Sequence, residues 1–352
     1  MKMQKAALAQ KIGKLKSVVP KRGQNEALRG ILVKDGYLTA NNMEMMVKIK
    51  IEGIEDEPFI IPERAFDLIN NLPDGELEIT AAPKNTITIK ADKIKNKYQT
   101  LEPDSFPCVT VQEQRQELTV KAEHLMESIK RVAYAVPAQG SSKVMESMCI
   151  QAEGGKLNFV GLDGHVMAWD QVDYNGEFEL LIPKGTVDKL KSIGLTGDVQ
   201  IRHNKTSAVF ITEEAEIYTR LADGEYFNYK PMFKKFPLHT AASRSALLGA
   251  MVRAKMCTEN KRPVRFELKG SNLNLSIKDK ITDYREDIEL SKEMEDALTI
   301  GFDADLVLET LKAFECENVG ISFESPKMPM IIEAADENND FKAMVLPVML
   351  GE

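Results

Sequence analysis

The sequence predicts an α+β protein of three tandem, similar domains, each made of antiparallel sheets with two helices. Three observations carry this reading. Leu180–Ile201 (LLIPKGTVDKLKSIGLTGDVQI) reads as strand, short helix, turn and strand, with Val187, Leu190 and Ile193 at helical spacing and Gly194 and Gly197 breaking it. Phe59–Ile79 and Leu298–Ile321 repeat the pattern, with Phe66, Ile69 and Leu72, then Leu308, Leu311 and Phe314, at the same apolar positions. The offset is constant: 121 residues separate Leu72 from Ile193 and Ile193 from Phe314. A period of this length makes each copy a whole domain, not a solenoid unit of about 20–50 residues.

The boundaries follow as 1–113, 114–235 and 236–352, with polar QEQRQ (112–116) and KPMFKKFPLH (230–239) as linkers. In the first domain, residues 2–18 form an amphipathic helix with Leu8, Ile12 and Leu15 on one face. A hairpin over 30–40 turns at Asp35-Gly36, a strong two-residue signal. A strand over 43–51, the strand–helix–strand unit, and strands near 86–90 and 97–101 complete it. The second domain repeats the order. Its helix spans about 122–136 on Leu125, Ile129 and Val132, its hairpin turns at Gly154-Gly155, and its last strands lie at 208–212 and 217–221. In the third, the helix carries Leu247, Met251 and Val252, the hairpin of 264–277 turns at Gly270-Ser271, and strands close at 330–333 and 341–350. Helices on one face of antiparallel sheets are the natural layering for this order.

Composition is that of a soluble globular chain, with 43% hydrophobic and 28% charged residues. No apolar run approaches the roughly 20 residues of a membrane span, and the basic N-terminus lacks an apolar signal-peptide core. Cys108, Cys149, Cys257 and Cys316 show no ligand spacing, so buried free thiols in a reducing cytoplasm are expected. Net charge is −8, which argues against a wholesale nucleic-acid coat. Yet positive charge clusters in the first-helix region of each repeat. Residues 1–22 hold seven basic side chains and no acid, and Arg244, Arg253, Lys255, Lys261 and Arg262 face only Glu259. Lys121, Lys130, Arg131 and Lys143 outnumber Glu123 and Glu127. Any one cluster reads as a solvated helix face; three at equivalent places favour a shared polyanion-facing surface.

One segment looks chemical. Asp163 and His165 in LDGH could act as orienter and base of a hydrolase-like enzyme, or ligate a metal. No nucleophile or third ligand stands at a recognisable spacing, and Asp-Gly is also a plain turn signal. Phosphate-loop, dinucleotide and zincin motifs are absent, so no cofactor and no metal are expected. The Met-rich tail (Met328, Met330, Met344, Met349) suits core filling or an adaptable peptide groove. Three functions stay open on these residues: a polyanion-binding protein, an enzyme, and a monomeric repeat protein that binds only proteins.

The chain resembles the bacterial DNA polymerase III beta subunits, the beta sliding clamps. The residues concerned are Gly161-Leu162-Asp163-Gly164-His165, Ala222-Asp223-Gly224 with Tyr229, Lys312-Ala313 with Cys316-Glu317-Asn318-Val319, and Val345-Leu346-Pro347. Ile61-Pro62, Leu72-Pro73-Asp74-Gly75 and Asp104 with Phe106-Pro107 match in the first repeat. No single motif is diagnostic; their order and spacing along essentially the whole chain are specific. The resemblance implies the DNA clamp fold, a cytoplasmic head-to-tail homodimer closing a ring around duplex DNA, and a non-catalytic processivity factor of the replicative polymerase. It implies one peptide-binding pocket for the polymerase III catalytic subunit, the clamp loader and other replication and repair proteins. Carried over position by position, that pocket is Leu162, Gly164, His165, Met167, Met232, Met344, Leu346, Pro347 and Val348. DNA contacts fall on Arg22, Arg64, Gln139 and Lys143, and the dimer interface on Tyr98 and Met256. Val166-Met167, Pro231 and Met349 depart from the family's usual residues.

Overall fold

The computed structural model describes residues 1–21, 25–52, 57–109, 116–257, 262–278, 282–335 and 340–350. Among these residues lie six α-helices: α1 Lys5–Lys16, α2 Phe66–Asn71, α3 Ala122–Val132, α4 Lys184–Ile193, α5 Arg244–Met256 and α6 Ala304–Lys312. The chain divides into two compact units, Met1–Met126 with Gly185–Leu221, and Glu127–Lys184 with Ala222–Glu352.

The first unit holds two antiparallel sheets. One orders Lys2–Gln4, Glu76–Ala82, Thr86–Ala91 and Ile94–Gln99. The other orders Phe59–Pro62, Gly30–Lys34, Tyr37–Asn41, Met45–Lys50, Ala215–Arg220, Ser207–Ile211, Asp198–His203 and Gln116–Lys121. Strands of the first and second sequence repeats therefore meet in one sheet, through the pairing of Met45–Lys50 with Ala215–Arg220. The second unit does the same for the second and third repeats. Its ten-stranded sheet runs Phe178–Pro183, Ser147–Glu153, Lys156–Leu162, Val166–Asp173, Lys342–Val345, Met330–Ala334, Asn318–Phe323, Leu238–Ser243, Asp283–Phe302 and Val264–Lys278.

The repeat predicted from periodicity is the repeat that packs. Phe66, Ile69 and Leu72, Val187, Leu190 and Ile193, and Leu308, Leu311 and Phe314 are all buried. Each such aliphatic or aromatic side chain contributes about 1.5–3 kcal/mol on leaving water. Leu8, Ile12 and Leu15 of α1 are fully buried, as the helical spacing required. The turns at Asp35-Gly36 and Gly154-Gly155 have positive φ at both residues, the mirror-image turn that matches strand twist.

Several boundaries differ from the sequence reading. α1 starts at Lys5, because Lys2–Gln4 pairs with Glu76–Glu78 as an edge strand. α3 ends at Val132 and tightens into a 3-10 turn over Ala133–Ala135. Val252 is 38% exposed; one step round the helix from Met251, it turns outward while Ala250 and Ala254 take the core positions. The hairpin expected at Gly270-Ser271 does not form: Val264–Lys278 is one strand, and at Gly270 (φ +56°) its pairing with Asp283–Phe302 changes register, so that Val264–Leu268 lies against Leu298–Phe302 and Asn272–Lys278 against Asp283–Glu289. The last strand stops at Val345, before Pro347, which has no N–H to donate. Cys149 and Cys316 are buried thiols, but Cys108 is exposed and Cys257 half-buried.

Candidate functional site

The Leu162–Met167 segment and the C-terminal tail meet in the second unit. Val166–Trp169 pairs antiparallel with Lys342–Val345, so that Met167 lies opposite Met344 and Val166 opposite Val345. Just beyond, the Leu346 N–H donates to the His165 carbonyl at 2.8 Å, and the Val348 N–H to the Gly301 carbonyl at 2.8 Å. The turn is built by its own side chain. Asp163 Oδ1 accepts from the backbone N–H groups of His165 and Val166, both at 2.8 Å, and Gly164 supplies the left-handed conformation at φ +86°.

Burial sorts the nine pocket candidates. Met167 and Met344 are 2% and 3% exposed and belong to the core beneath the turn and the tail. Leu162, Leu346 and Pro347 are half-buried, and Gly164, His165, Met232 and Val348 are exposed. Met232 sits in the 3-10 turn Lys230–Met232 at the start of the linker. The arrangement is an apolar, adaptable surface flanked by backbone groups, suited to an extended peptide. It is unsuited to the enzyme reading of Asp163 and His165, because the carboxylate is committed to two backbone amides and not to an imidazole.

Aromatic residues outside the nine pocket candidates buttress this surface. Trp169 packs edge-on to Tyr229, with ring centroids 5.2 Å apart, and lies 5.3 Å from Phe233. Its indole N–H donates to Asn158 Oδ1 at 3.0 Å. Tyr229, Phe236, Met167, Met344 and Ile331 share one cluster. The Tyr229 hydroxyl bonds Gln151 Oε1 at 3.1 Å, and burial pushes its pKa up. The aromatic-rich linker was the available signal. Next to Trp169, on the opposite sheet face, Asp170 is 1% exposed. Burial raises its pKa, against the opposing pull of Ser128 and of the Arg131 guanidinium 3.6 Å away.

The candidate nucleic-acid residues are dispersed. Arg22 lies outside the described residues. Arg64, exposed in the first unit, lies over the Tyr98 ring at 5.8 Å and donates to the Gln99 carbonyl, which ties a DNA candidate to an interface candidate. Gln139 is exposed in the loop after α3, and Lys143 in the same loop pairs with Glu146 at 2.6 Å. That partner and the Gly140 N–H hold the Glu146 carboxyl below its usual range. Much of the clustered positive charge has acidic neighbours: Lys5 with Asp74, Lys16 with Asp67, Arg253 with Glu286 and Lys255 with Asp305. Such exposed pairs are worth only about 0–1 kcal/mol, so a phosphate can share these cations. Lys184, at the start of α4, donates to the Ala133 carbonyl at 3.0 Å. Tyr98 is half-buried on the sheet-edge strand Ile94–Gln99, and Met256 is 80% exposed at the end of α5.

Comparison with known proteins supplies the family. The DNA polymerase III beta subunit central domain matches residues 119–228, and the C-terminal domain of the same subunit matches 234–349. The beta sliding clamp of Vibrio cholerae is 22% identical over 330 residues, covering 89% of this chain and 88% of its own length. That of Escherichia coli K12 is 24% identical over 334 residues, covering 90% of each. In structure, the beta subunit of Streptococcus pyogenes DNA polymerase superposes with a TM-score of 0.92 at 19% identity over 99% of both chains. The griselimycin-bound clamp of Pseudomonas aeruginosa gives 0.92 at 21% identity, again over 99% of both. With both matching domains in their order and together spanning well over half of the residues, the chain belongs to the DNA polymerase III beta subunit family, the beta sliding clamps.

Proposed function

We propose that two copies of this protein close head to tail into a ring around duplex DNA and tether partners to it. Members of the family are the non-catalytic, processivity-giving subunit of the polymerase, so the protein is a sliding clamp and not an enzyme. Three domains, 1–113, 114–235 and 236–352, give six per ring in the cytoplasm. The polymerase III catalytic subunit, the clamp loader and repair proteins dock as linear peptides on the surface from Leu162 to Met167 and Met344 to Val348. Arg22, Arg64, Gln139 and Lys143 would meet phosphates without reading bases, which makes the attraction sequence-independent and salt-sensitive.

The observation that carries the ring is a junction made twice and left open once. Met45–Lys50 pairs with Ala215–Arg220, and Val166–Asp173 with Lys342–Val345, each joining one repeat to the next. The first repeat's counterpart, Ile94–Gln99, ends its sheet without such a neighbour. It carries Lys95 and Lys97, whereas the third repeat's counterpart of Met45–Lys50, the Asp283–Glu289 part of Asp283–Phe302 that pairs with Asn272–Lys278, carries Asp283, Glu286, Asp287 and Glu289 against the single Arg285. An unpaired edge invites a strand, and opposite charges select which one. Tyr98 on that edge and Met256 near the other belong to the same proposed interface.

The test is topological. Sedimentation should give twice the chain mass, and protein assembled on nicked circular DNA should be lost when the circle is linearised. A stable monomer, or retention on linear ends, would reject the ring.

A further inference from the structure

The rung of sheet that carries the docking residues continues past them. Leu162, Met167, Met344, Ile331, Ser322 and His239 are successive direct cross-strand partners on six strands. Direct partners point to one face, and six strands at about 4.8 Å spacing make a row of roughly 24 Å. The linker packs on the middle of this row, where Phe233 meets Trp169 and Phe236 joins the cluster of Met167, Met344 and Ile331. At the His239 end opens a cavity of about 300 Å³, whose lining includes Phe233 and Phe236, three lysines (Lys234, Lys235 and Lys342) and one acid, Glu333.

This cavity differs in kind from the apolar surface at the other end. Its floor is aromatic, with Lys234 Nζ over the Phe236 ring at 5.9 Å, and its rim is cationic. Lys234 pairs with Glu324 at 3.0 Å, but Lys342 approaches Glu333 no closer than 3.9 Å. Lys235 is exposed and has no acidic partner among the described residues. Positive charge thus exceeds negative beside a wall that excludes water on one side, where a carboxylate is attracted more strongly than on an open surface.

We propose that this cavity takes an acidic side chain of the same linear peptide that docks on the Leu162–Met167 turn and the tail. Partner peptides would then carry a carboxylate displaced from their apolar anchor, and the proposal rests on the peptide-docking reading above. From Met344 to His239 the row spans three strand spacings, about 14 Å, so an extended chain passing over the linker needs at least about four residues. The anchor provides apolar burial, and the carboxylate selects among apolar peptides that would otherwise compete.

Trp169 is the chain's single tryptophan and touches the linker that separates the two ends, so its emission reports on occupancy there. The probes are labelled synthetic peptides with a Leu-Phe anchor, a four-residue Gly/Ser spacer and either three glutamates or three glutamines, made in both chain directions. Label anisotropy reads affinity and Trp169 emission reads location. The glutamate peptide should bind about five- to tenfold more tightly, and the advantage should shrink in high salt. Lys235→Gln combined with Lys342→Gln should abolish the advantage while leaving the glutamine peptide's affinity unchanged. Equal affinity of the two peptides, with both weakened by Leu346→Ala, would overturn the cavity and leave the docking reading standing. Binding of neither peptide would overturn both.

Discussion

Met167 and Met344 face each other as direct cross-strand partners, one from the central repeat and one from the C-terminal tail, and both are sealed from solvent. These two pocket candidates are therefore core residues. Met344→Ala would lose about 2–5 kcal/mol of folding stability through the cavity it leaves, and so tests packing more than binding.

Leu346 separates the two effects. It is half-buried and held by its backbone bond to His165. Leu346→Ala should weaken binding of an apolar partner peptide by about 1–3 kcal/mol, read by calorimetry, with little change in the thermal midpoint. Unchanged affinity would remove this residue from the docking surface.

Asp163 acts on the same surface through the backbone. Its carboxylate satisfies two amides of the turn whose His165 carbonyl receives the Leu346 N–H. Asp163→Ala should cost about 1–2 kcal/mol in urea unfolding and lower peptide affinity, while Asp163→Asn keeps an acceptor oxygen and most of both.

Asp170 gives a pH signature. Burial raises its folded-state pKa above the unfolded value, so between the two values the native state binds more protons than the unfolded one. This carboxyl therefore favours the fold at acid pH, and that contribution is lost as pH rises through the folded-state pKa. Asp170→Asn should accordingly gain stability relative to the parent between pH 4 and pH 8, measured as the difference in thermal midpoint across a pH series. A difference independent of pH would contradict the assignment.

The open edge can be tested by charge. Lys95→Glu with Lys97→Glu puts like charges opposite the acidic strand of a second copy. The ring has two such interfaces, so four reversed contacts at about 0.2–1 kcal/mol each should raise the dimer dissociation constant at least about fourfold and about fiftyfold at mid-range, read by sedimentation at low salt. The monomer's unfolding curve should not move, because both side chains are exposed.

By itself the sequence determined the repeat, the helix faces apart from Val252, and two of the three expected hairpins. Those depend on local spacing: apolar residues at helical intervals had to be buried together, and Asp35-Gly36 and Gly154-Gly155 had to turn. The family resemblance singled out the turn and the tail. What only the tertiary structure decided was who stands beside whom. The sheets run across repeat boundaries, so Met167 gains Met344 and Met46 gains Tyr218 as cross-strand partners from another repeat. Strand pairing is set by backbone hydrogen bonds between distant segments, and no periodicity along a single segment encodes them. For the same reason the pairing of Lys5, Lys16, Arg253 and Lys255 with acids far along the chain was invisible to a charge count, as was the row that joins Leu162 to a lysine-rimmed cavity.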